Sequence, residues 1–268
     1  MGGLITQTGG LITQTGGLIT ELGGLITDDE IEMTVVKSND LIRKSRYELS
    51  LQEYKLILYF ISKIRPGDED FREYDYDLRS ICEITGAKPC GQNYKQLRAS
   101  LQSLADRSFW VRIGDADVLC RWISKVRIYP GEAKISVRLD DDLKPYLLRL
   151  KNNFTIYGLE NALGMRSRYS IRLYELLHSY VNLSSASFPV DELKRLLDAE
   201  NYTLFKDFRS KVIEYAVNEI NELTELSVSV SYAKSGRQIR SVMFEIRYKS
   251  SAERAGAIRE LGKRGIIK

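Results

Sequence analysis

An alternating segment near the carboxyl end constrains the fold of this chain more than any other feature. Leu226–Tyr232 has an apolar residue at every second position and a serine at each position between. The segment 242–248 alternates in the same way, with Val, Phe, Ile and Tyr as its apolar residues. Period two predicts that both segments are strands with one buried face. A polar turn centred on Gly236 separates them, and an amphipathic helix is predicted immediately before them at Asn201–Leu223.

The order helix, strand, basic turn, strand is typical of a winged helix. In that fold the helix enters the major groove of DNA, and the tip of the hairpin lies on the neighbouring backbone. The order of elements occurs twice along the chain, at 50–139 and at 167–248. The earlier copy starts at a capping box formed by Ser50 and Glu53. We therefore predict an α+β fold with two tandem winged-helix domains, each a helical bundle with a β-hairpin wing.

Shifts in composition predict where the domains begin and end. Residues 35–150 are predicted to form the N-terminal winged-helix domain, and 151–249 the C-terminal domain, which we expect to be the main DNA reader. The last segment, 250–268, is charged and interrupted by glycine, so we predict a flexible tail. Residues 1–34 are predicted to be disordered, for the following reason.

A seven-residue repeat with the consensus GGLIT occupies residues 2–29 in four copies. Each glycine in a helix costs about 1 kcal/mol relative to alanine, so the paired glycines argue against a coiled coil. Seven codons span about 21 base pairs, which is close to two turns of DNA at about 10–10.5 base pairs per turn. One interpretation is that the coding DNA itself holds direct repeats that the protein binds. The alternative is a low-complexity tail or a translated upstream region.

Charge is distributed unevenly along the chain. Residues 1–34 contain no Lys or Arg and five acidic residues, whereas the remainder contains 40 basic and 31 acidic residues, a formal charge of +9. A basic body with 16 tyrosines suits a nucleic-acid partner. A solvated surface that is merely rich in Lys and Arg explains the charge equally well.

Several classes of function are not expected from this sequence. The chain has one histidine, His178, and three cysteines without paired spacing, so neither a zinc site nor the paired-histidine metal site of a nicking initiator is expected. The P-loop pattern G-x-x-x-x-G-K-[ST] is missing. No apolar run approaches the roughly 20 residues that cross a bilayer, and no signal peptide is visible. We expect a cytoplasmic protein with no enzyme activity, no metal, no cofactor and no membrane partner.

The candidate DNA-binding residues lie on the predicted reading helix and at the hairpin tip. On the helix, an apolar stripe with residues four apart is predicted to face the core, and it consists of Phe208, Val212, Ala216 and Ile220. Lys206, Arg209 and Ser210 lie off that stripe near the amino end, where a recognition helix meets base edges. Arg209 is suited to a bidentate contact with guanine. Phosphate contacts are predicted for Lys206 and Lys211 and, at the wing, for Lys234 and Arg237. A solvated basic face is the alternative.

In the first unit the corresponding helix offers Lys95 and Arg98, next to Asn93. The following turn, 114–117, contains two aspartates, and an acidic wing tip would repel phosphate. We therefore expect the first domain to bind DNA less strongly or to use this edge for a protein partner. Trp110 and Trp122 are predicted to pack in the core or against strands rather than to stack on bases.

Specific stretches of the chain resemble one family. These are 35–41, Ser167–Leu177, Asp207–Lys211, Asn218–Asn221 and Gly236–Gln238. Together they resemble the replication initiator proteins of iteron-containing, theta-replicating plasmids, over about residues 35–248.

The resemblance implies a two-domain initiator that binds directly repeated DNA, called iterons, at a plasmid origin. It further implies opening of an AT-rich segment, recruitment of the host initiator and replicative helicase, and repression of the protein's own gene. Self-association is implied too, with dimers forming through the first domain and monomers binding iterons. The alternatives are a winged-helix transcriptional regulator without an initiation role, an adaptor that binds only protein, and a nicking enzyme.

Overall fold

The fold is described by a computed structural model that covers residues 34–65, 67–85, 91–113, 115–129, 131–236 and 238–267. The seven-residue repeat, and with it the prediction of disorder for residues 1–33, lies outside the described residues. So does Arg237, one of the two residues predicted at the wing.

The first winged-helix unit follows the predicted order of elements. Its longest apolar helix, α2, begins at Ser50, where the predicted capping box with Glu53 is present in both directions. The elements are β1 (Thr34–Ser38), α1 (Asn39–Lys44), β2 (Ser45–Arg46), α2 (Leu51–Ser62), β3 (Tyr74–Asp77), α3 (Leu78–Thr85), α4 (Gly91–Asp106), β4 (Ser108–Ile113), β5 (Ala116–Arg121), β6 (Ile123–Tyr129) and β7 (Lys134–Leu139).

The second unit repeats this order with fewer strands. Ser167 caps its first long helix, α7, as predicted, by accepting a hydrogen bond from the Tyr169 amide. A short helix, α5 (Lys144–Leu147), precedes the predicted boundary at Leu150. The elements after it are β8 (Phe154–Gly158), α6 (Leu159–Leu163), α7 (Arg168–His178), β9 (Ser185–Pro189), α8 (Val190–Leu196), α9 (Phe205–Phe208), a π-helical segment (Arg209–Glu214), α10 (Tyr215–Leu223), β10 (Leu226–Ser235), β11 (Gln238–Tyr248) and α11 (Ser251–Lys263).

The sheet of the second unit contains the hairpin that the alternating sequence predicted. β10 and β11 pair antiparallel, with Val228 opposite Ile246 and Val230 opposite Phe244. β11 also pairs with β9, so the strand order is β10-β11-β9. The hairpin is therefore held on one side by the short strand that precedes α8, which is the connection expected of a wing.

The first unit contains two separate hairpins, whereas the sequence pattern predicts three successive strands, at 109–113, from 118 toward 129, and at 134–139. The sequence predicted one strand continuing from Val118 toward Tyr129, but the chain bends at Trp122 and divides into β5 and β6. Trp122 and Ile123 are 1% and 2% exposed, and two adjacent buried side chains cannot share one face of a straight strand. The strand therefore changes sheets at this point, giving the orders β2-β4-β5 and β3-β7-β6.

This topology corrects the predicted wing of the first unit. β3 pairs with β7 just as β9 pairs with β11, so the hairpin β6–β7 corresponds to the wing. The acidic turn at 114–117 connects β4 to β5 and belongs to the additional hairpin. The inference of an acidic wing, which rested on that turn, is therefore wrong.

The two units are joined by shared elements. β1 pairs with β8 along its whole length, from Thr34 opposite Gly158 to Ser38 opposite Phe154. The predicted domain boundary at Leu150 thus separates two strands that form one sheet. The helix α1, which follows β1, also packs on α7.

A buried ion pair lies at the same junction. Lys37 donates to Glu175 at 2.6 Å, and both side chains are fully buried. Tyr54 and Tyr157 also donate to this carboxylate. Burial by itself would raise the pKa of Glu175, but the positive charges of Lys37 and Arg172 and these hydrogen bonds hold it below its usual value. The carboxylate therefore stays ionised inside the protein.

The carboxyl-terminal segment is an ordered helix, not the flexible tail predicted for 250–268. α11 begins at a capping box between Ser250 and Glu253. Its inner face buries Ala257 and Leu261, which are 4% and 2% exposed. After the helix ends, Arg264 donates to Glu222 at 2.7 Å and ties the segment to α10. Apolar residues four apart explain the packing, since they lie on one helical face.

Candidate nucleic-acid interface

The candidate interface is built on the helix predicted before the wing. The apolar stripe was predicted correctly, since all four of its residues are completely buried: Phe208, Val212, Ala216 and Ile220. The helix begins at Phe205 rather than at Asn201, because the backbone of Leu204 is extended. The stripe fixes the rotation of the helix, so its opposite face is turned to solvent.

The amino-terminal half of this helix contains a feature that the sequence did not predict. Arg209–Glu214 is a π-helical segment inserted between α9 and α10. The wider winding places residue i beside residue i+5, and Arg209 Nε donates to Glu214 Oε1 at 2.7 Å. Such segments occur frequently at functional sites.

The predicted residues of this helix all lie on its exposed side. Lys206, Arg209, Ser210 and Lys211 are each classed as exposed, with the side chains of Arg209 and Lys211 48% and 62% accessible. Lys211 forms an ion pair with Asp207 at 3.0 Å. The Ser210 hydroxyl donates to the Lys206 carbonyl at 3.0 Å, so its proton is used within the helix.

Arg209 connects the helix to the wing. Its guanidinium carbon lies 4.8 Å from the centre of the Tyr232 ring, and Tyr232 belongs to β10. The hydrogen bond to Glu214, helped by the negative charge of that residue, raises the pKa of Arg209 above its usual value. Burial raises the pKa of Tyr232 as well, so the ring stays neutral beneath the cation.

The wing itself carries Lys234 at an irregularity in the hairpin. The register shifts between Ala233 and Lys234, whose partners are Ser241 and Ile239. Arg240 is therefore the extra residue on β11, and it is exposed. Sequence reasoning missed Arg240. Period two places Arg240 in phase with the buried Val242, and the bulge that leaves Arg240 exposed has no clear sequence pattern.

The first unit presents its cations differently. Lys95 and Arg98 are exposed on α4, as predicted, while the side chain of Asn93 lies outside the described residues. On β6 of the true wing, Lys125 and Arg127 lie 2.9 and 3.4 Å from the carboxylate of Glu73. The charge of this hairpin is thus partly neutralised within the unit.

Two aromatic predictions have different outcomes. Trp122 is buried, as predicted for a core residue. Trp110 is 56% exposed and lies opposite Leu119, which is 48% exposed, on the β4–β5 hairpin. Trp110 points away from the core because β4 has only one covered face.

Other chemistry is not visible in the part of the chain that the structure describes. His178 is buried in α7 and lies 2.9 Å from Glu225. No cluster of three or more His, Cys, Asp or Glu residues suited to a metal ion occurs among the described residues. Within the same ranges, none of the helices has the length and apolar character to span a membrane.

Similarity to known proteins covers both units. The sequence model described as "Initiator Replication protein, WH1" matches residues 34–178, so it extends past the predicted boundary at Leu150 and includes β8 and α7. The model described as "Initiator Rep protein, WH2" matches residues 189–246. The chain is 24% identical over 227 residues to a "Replication initiation protein" of Escherichia coli, across 80% of this chain and 70% of that protein. It is 33% identical over 137 residues to the "PI protein" of Escherichia coli, across 43% of this chain and 44% of that protein.

The fold is similar to one solved by crystallography. The structure described as Pi initiator protein in complex with iteron DNA superimposes with a TM-score of 0.67 at 22% identity, over 82% of this chain and 99% of that chain. The predicted fold class, two tandem winged-helix domains, is confirmed by these matches.

Proposed function

Because this chain belongs to the family of initiator replication proteins with WH1 and WH2 domains, we propose that it initiates plasmid replication by binding iterons at the origin. The observation that carries the proposal is the helix with its adjoining wing in the second unit. One face of the helix is completely buried, and the opposite face exposes Lys206, Arg209 and Lys211. Lys234 and Arg240 continue this cationic surface along the hairpin.

The two parts of this surface have different roles. Arg209 contacts a guanine edge in the major groove, because a guanidinium matches the O6 and N7 acceptors of that base. Lys206, Lys211, Lys234 and Arg237 contact phosphates, which fix the orientation of the protein without reading sequence. Ser210 lies between these cations, where its hydroxyl oxygen accepts a hydrogen bond from the DNA or from a bridging water.

The first unit contributes a second, weaker contact to the DNA. Lys95 and Arg98 on α4 face solvent and are placed for backbone phosphates. The exposed Trp110 and Leu119 on the β4–β5 hairpin support self-association through this unit. The strands of the origin separate through binding and deformation of the DNA, so the proposal includes no catalytic step and no cofactor.

Further parts of the proposal concern other partners. The bound protein recruits the host initiator and replicative helicase, represses its own gene and acts in the cytoplasm, where the plasmid is replicated. The repeat of about 21 base pairs in codons 2–29 supports binding at the start of the coding region, since that spacing presents the same groove face at every copy.

Selection from a random pool of DNA duplexes tests the binding proposal without assuming any site. The full chain should enrich one sequence, and that sequence should match the repeat in codons 1–29. A duplex spanning these codons should then be retarded in steps, one for each repeat. Recovery of no common sequence would disprove sequence-specific binding.

A second assay separates initiation from transcriptional regulation alone. A plasmid that carries the selected repeats, with the protein supplied from another template, should be maintained in the host. If the repeats are bound but the plasmid is lost, the alternative of a winged-helix transcriptional regulator is favoured.

A further inference from the structure

We propose that Glu214 and Tyr232 are positioning residues that hold Arg209 in the geometry for reading guanine. The proposal rests on the proposed function, because it concerns how the same helix selects its sequence. Two contacts in the structure carry it, one from the helix and one from the wing.

The contact from the helix depends on the π-helical segment. In a regular α-helix, residues five positions apart are separated by about 140° around the axis, so their side chains point in different directions. The π segment brings them together, and Arg209 Nε donates to Glu214 Oε1 at 2.7 Å. The irregular winding thus has a specific result, which is the attachment of a carboxylate to this arginine.

The contact from the wing fixes the plane of the same group. The Arg209 guanidinium lies 4.8 Å from the ring centre of Tyr232, which projects from β10. Arginine commonly stacks on aromatic faces in this way, and the contact restricts rotation of a side chain that is otherwise flexible. Arg209 is therefore held between the helix and the wing before any DNA is bound.

In this geometry Arg209 keeps the N–H donors that a contact with guanine requires. Glu214 uses the Nε–H, so the terminal nitrogens remain for a ligand, and 48% of the side chain is accessible. A planar pair of N–H donors matches O6 and N7 of guanine. Preorganisation of this kind improves binding, since less freedom is lost when the contact forms.

Glu214 should also affect DNA affinity through its charge, which distinguishes it from a residue that only stabilises the fold. Its negative charge offsets part of the charge of Arg209, which weakens attraction to any phosphate regardless of sequence. Removing the charge should therefore raise affinity for random DNA while lowering the preference for guanine. A residue that only stabilised the fold would lower both affinities together.

Guanine analogues in the selected duplex test this role. The probe is the duplex that wild-type protein enriches from the random pool, with each guanine replaced in turn by 7-deazaguanine, which lacks N7. At one guanine, wild-type affinity should fall by about 5- to 150-fold, the range expected for a good bidentate contact. Arg209→Ala should be insensitive to that replacement.

The positioning variants should lose the same sensitivity. Glu214→Leu, which removes both the accepting oxygen and the charge, and Tyr232→Leu should show a several-fold smaller effect of 7-deazaguanine at that position, and Glu214→Leu should bind a random duplex at least as tightly as wild type. Tyr232→Phe, which keeps the ring, should behave as wild type. Asp207→Asn is the matched control, because it removes the ion pair with Lys211 on the same helix without touching Arg209.

Three outcomes would overturn the inference. In the first, correctly folded Glu214→Leu and Tyr232→Leu retain the full wild-type sensitivity at the guanine. In the second, wild type selects a sequence but no guanine in it responds to the analogue, so that the proposed function stands while Arg209 reads no guanine. In the third, wild type selects no sequence, and both proposals fall.

Discussion

The two winged-helix units share an order of elements but present their positive charge in different ways. In the second unit the wing follows the reading helix directly, and Tyr232 of the wing contacts Arg209 of the helix. In the first unit an additional hairpin separates α4 from the wing, and cations of that wing are paired with Glu73. The number of basic residues is therefore a poor guide to DNA binding. What matters is how internal contacts hold each cation, since Arg209 is itself paired with Glu214 through Nε and yet lies against the wing.

The largest expected effect tests whether the two units are parts of one folded body. Lys37→Met or Glu175→Gln should lower the free energy of unfolding by about 3–5 kcal/mol, because each leaves a buried charge without its partner. Urea unfolding followed by tryptophan fluorescence, which reports on the first unit, should coincide with unfolding followed by circular dichroism. Lys211→Met, which removes an exposed ion pair, should leave the midpoint nearly unchanged. Separate transitions in wild type would show independent units.

The same ion pair predicts the effect of acid. The pKa of Glu175 is lowered in the folded protein, so its contribution to stability is present above the usual value of 4.5 and is lost as pH falls through the folded value. The difference in stability between wild type and Glu175→Gln should therefore narrow below about pH 4.5. A difference that stayed constant down to pH 3 would show that folding does not lower the pKa of Glu175.

The second effect concerns α11, which packs on α10 of the second unit. Leu261→Ala should lower the free energy of unfolding by about 2–5 kcal/mol, since it removes a buried leucine from the contact with the second unit. Ile258→Ala, on the exposed side of the same helix, should change it by no more than about 0.5 kcal/mol. Thermal unfolding of the two variants and of wild type measures both changes in stability. Equal, small effects would mean that the segment does not pack in solution.

A third pair of variants compares the reading helices directly. Arg209→Ala should reduce the preference for the selected sequence over a single-base variant by about 5- to 150-fold, whereas Arg98→Ala should reduce affinity for all sequences by a smaller factor. Competition binding at fixed salt distinguishes the two results. An equal loss of preference in both variants would mean that the first unit reads bases as well.

The wings of the two units should also differ in their contribution to DNA binding, by less than the two reading helices do. Lys234→Ala should lower the slope of log affinity against log salt by about one unit, because one phosphate contact is lost. Lys125→Ala should lower it less, since Lys125 is already paired with Glu73 at 2.9 Å. Titrations between about 50 and 200 mM salt cover the range in which this electrostatic term is large. Identical slopes for the two variants would show that both wings contact phosphates to the same extent.

The smallest effect is expected for the segment that belongs to neither unit. Deletion of residues 1–29 should leave DNA binding nearly unchanged, because the segment has no Lys or Arg to contact phosphate. The truncated protein should be made from a separate template and tested on the intact repeat, so that the DNA is held constant. A large loss of affinity would show that the repeat acts as protein, for example in self-association.

Local patterns in the sequence were sufficient to predict most elements of the second unit. The alternation in 226–232 gave the strand and its buried face, and the stripe from Phe208 to Ile220 gave the rotation of the helix. α11 was missed although its signals were present, namely the capping box at Ser250 and the spacing of Ala257 and Leu261. The prediction gave more weight to the glycines of that segment, because their helix propensity is low. In the structure, tertiary packing outweighs that low propensity.

Contacts between distant positions were beyond prediction. Lys37 and Glu175 are 138 residues apart, and nothing local distinguishes them from exposed charged residues. The π segment was not predictable either, because the sequence pattern of the buried stripe is the same with or without one extra residue in the helix. The division of β5 from β6 had a weak signal, two successive large apolar residues at Trp122 and Ile123.

The pairing of β1 with β8 has a consequence for synthesis on the ribosome. A domain made first usually folds first while the rest of the chain is still being translated. Here the strand that begins the first unit must wait for β8, and Lys37 must wait for a carboxylate that emerges 138 residues later. The unit that leaves the ribosome first is thus completed only after translation has passed Glu175. A polypeptide released before that codon leaves Lys37 without its buried counter-charge and lacks the helix at 205–223, so we expect it neither to complete this junction nor to bind DNA as the full chain does.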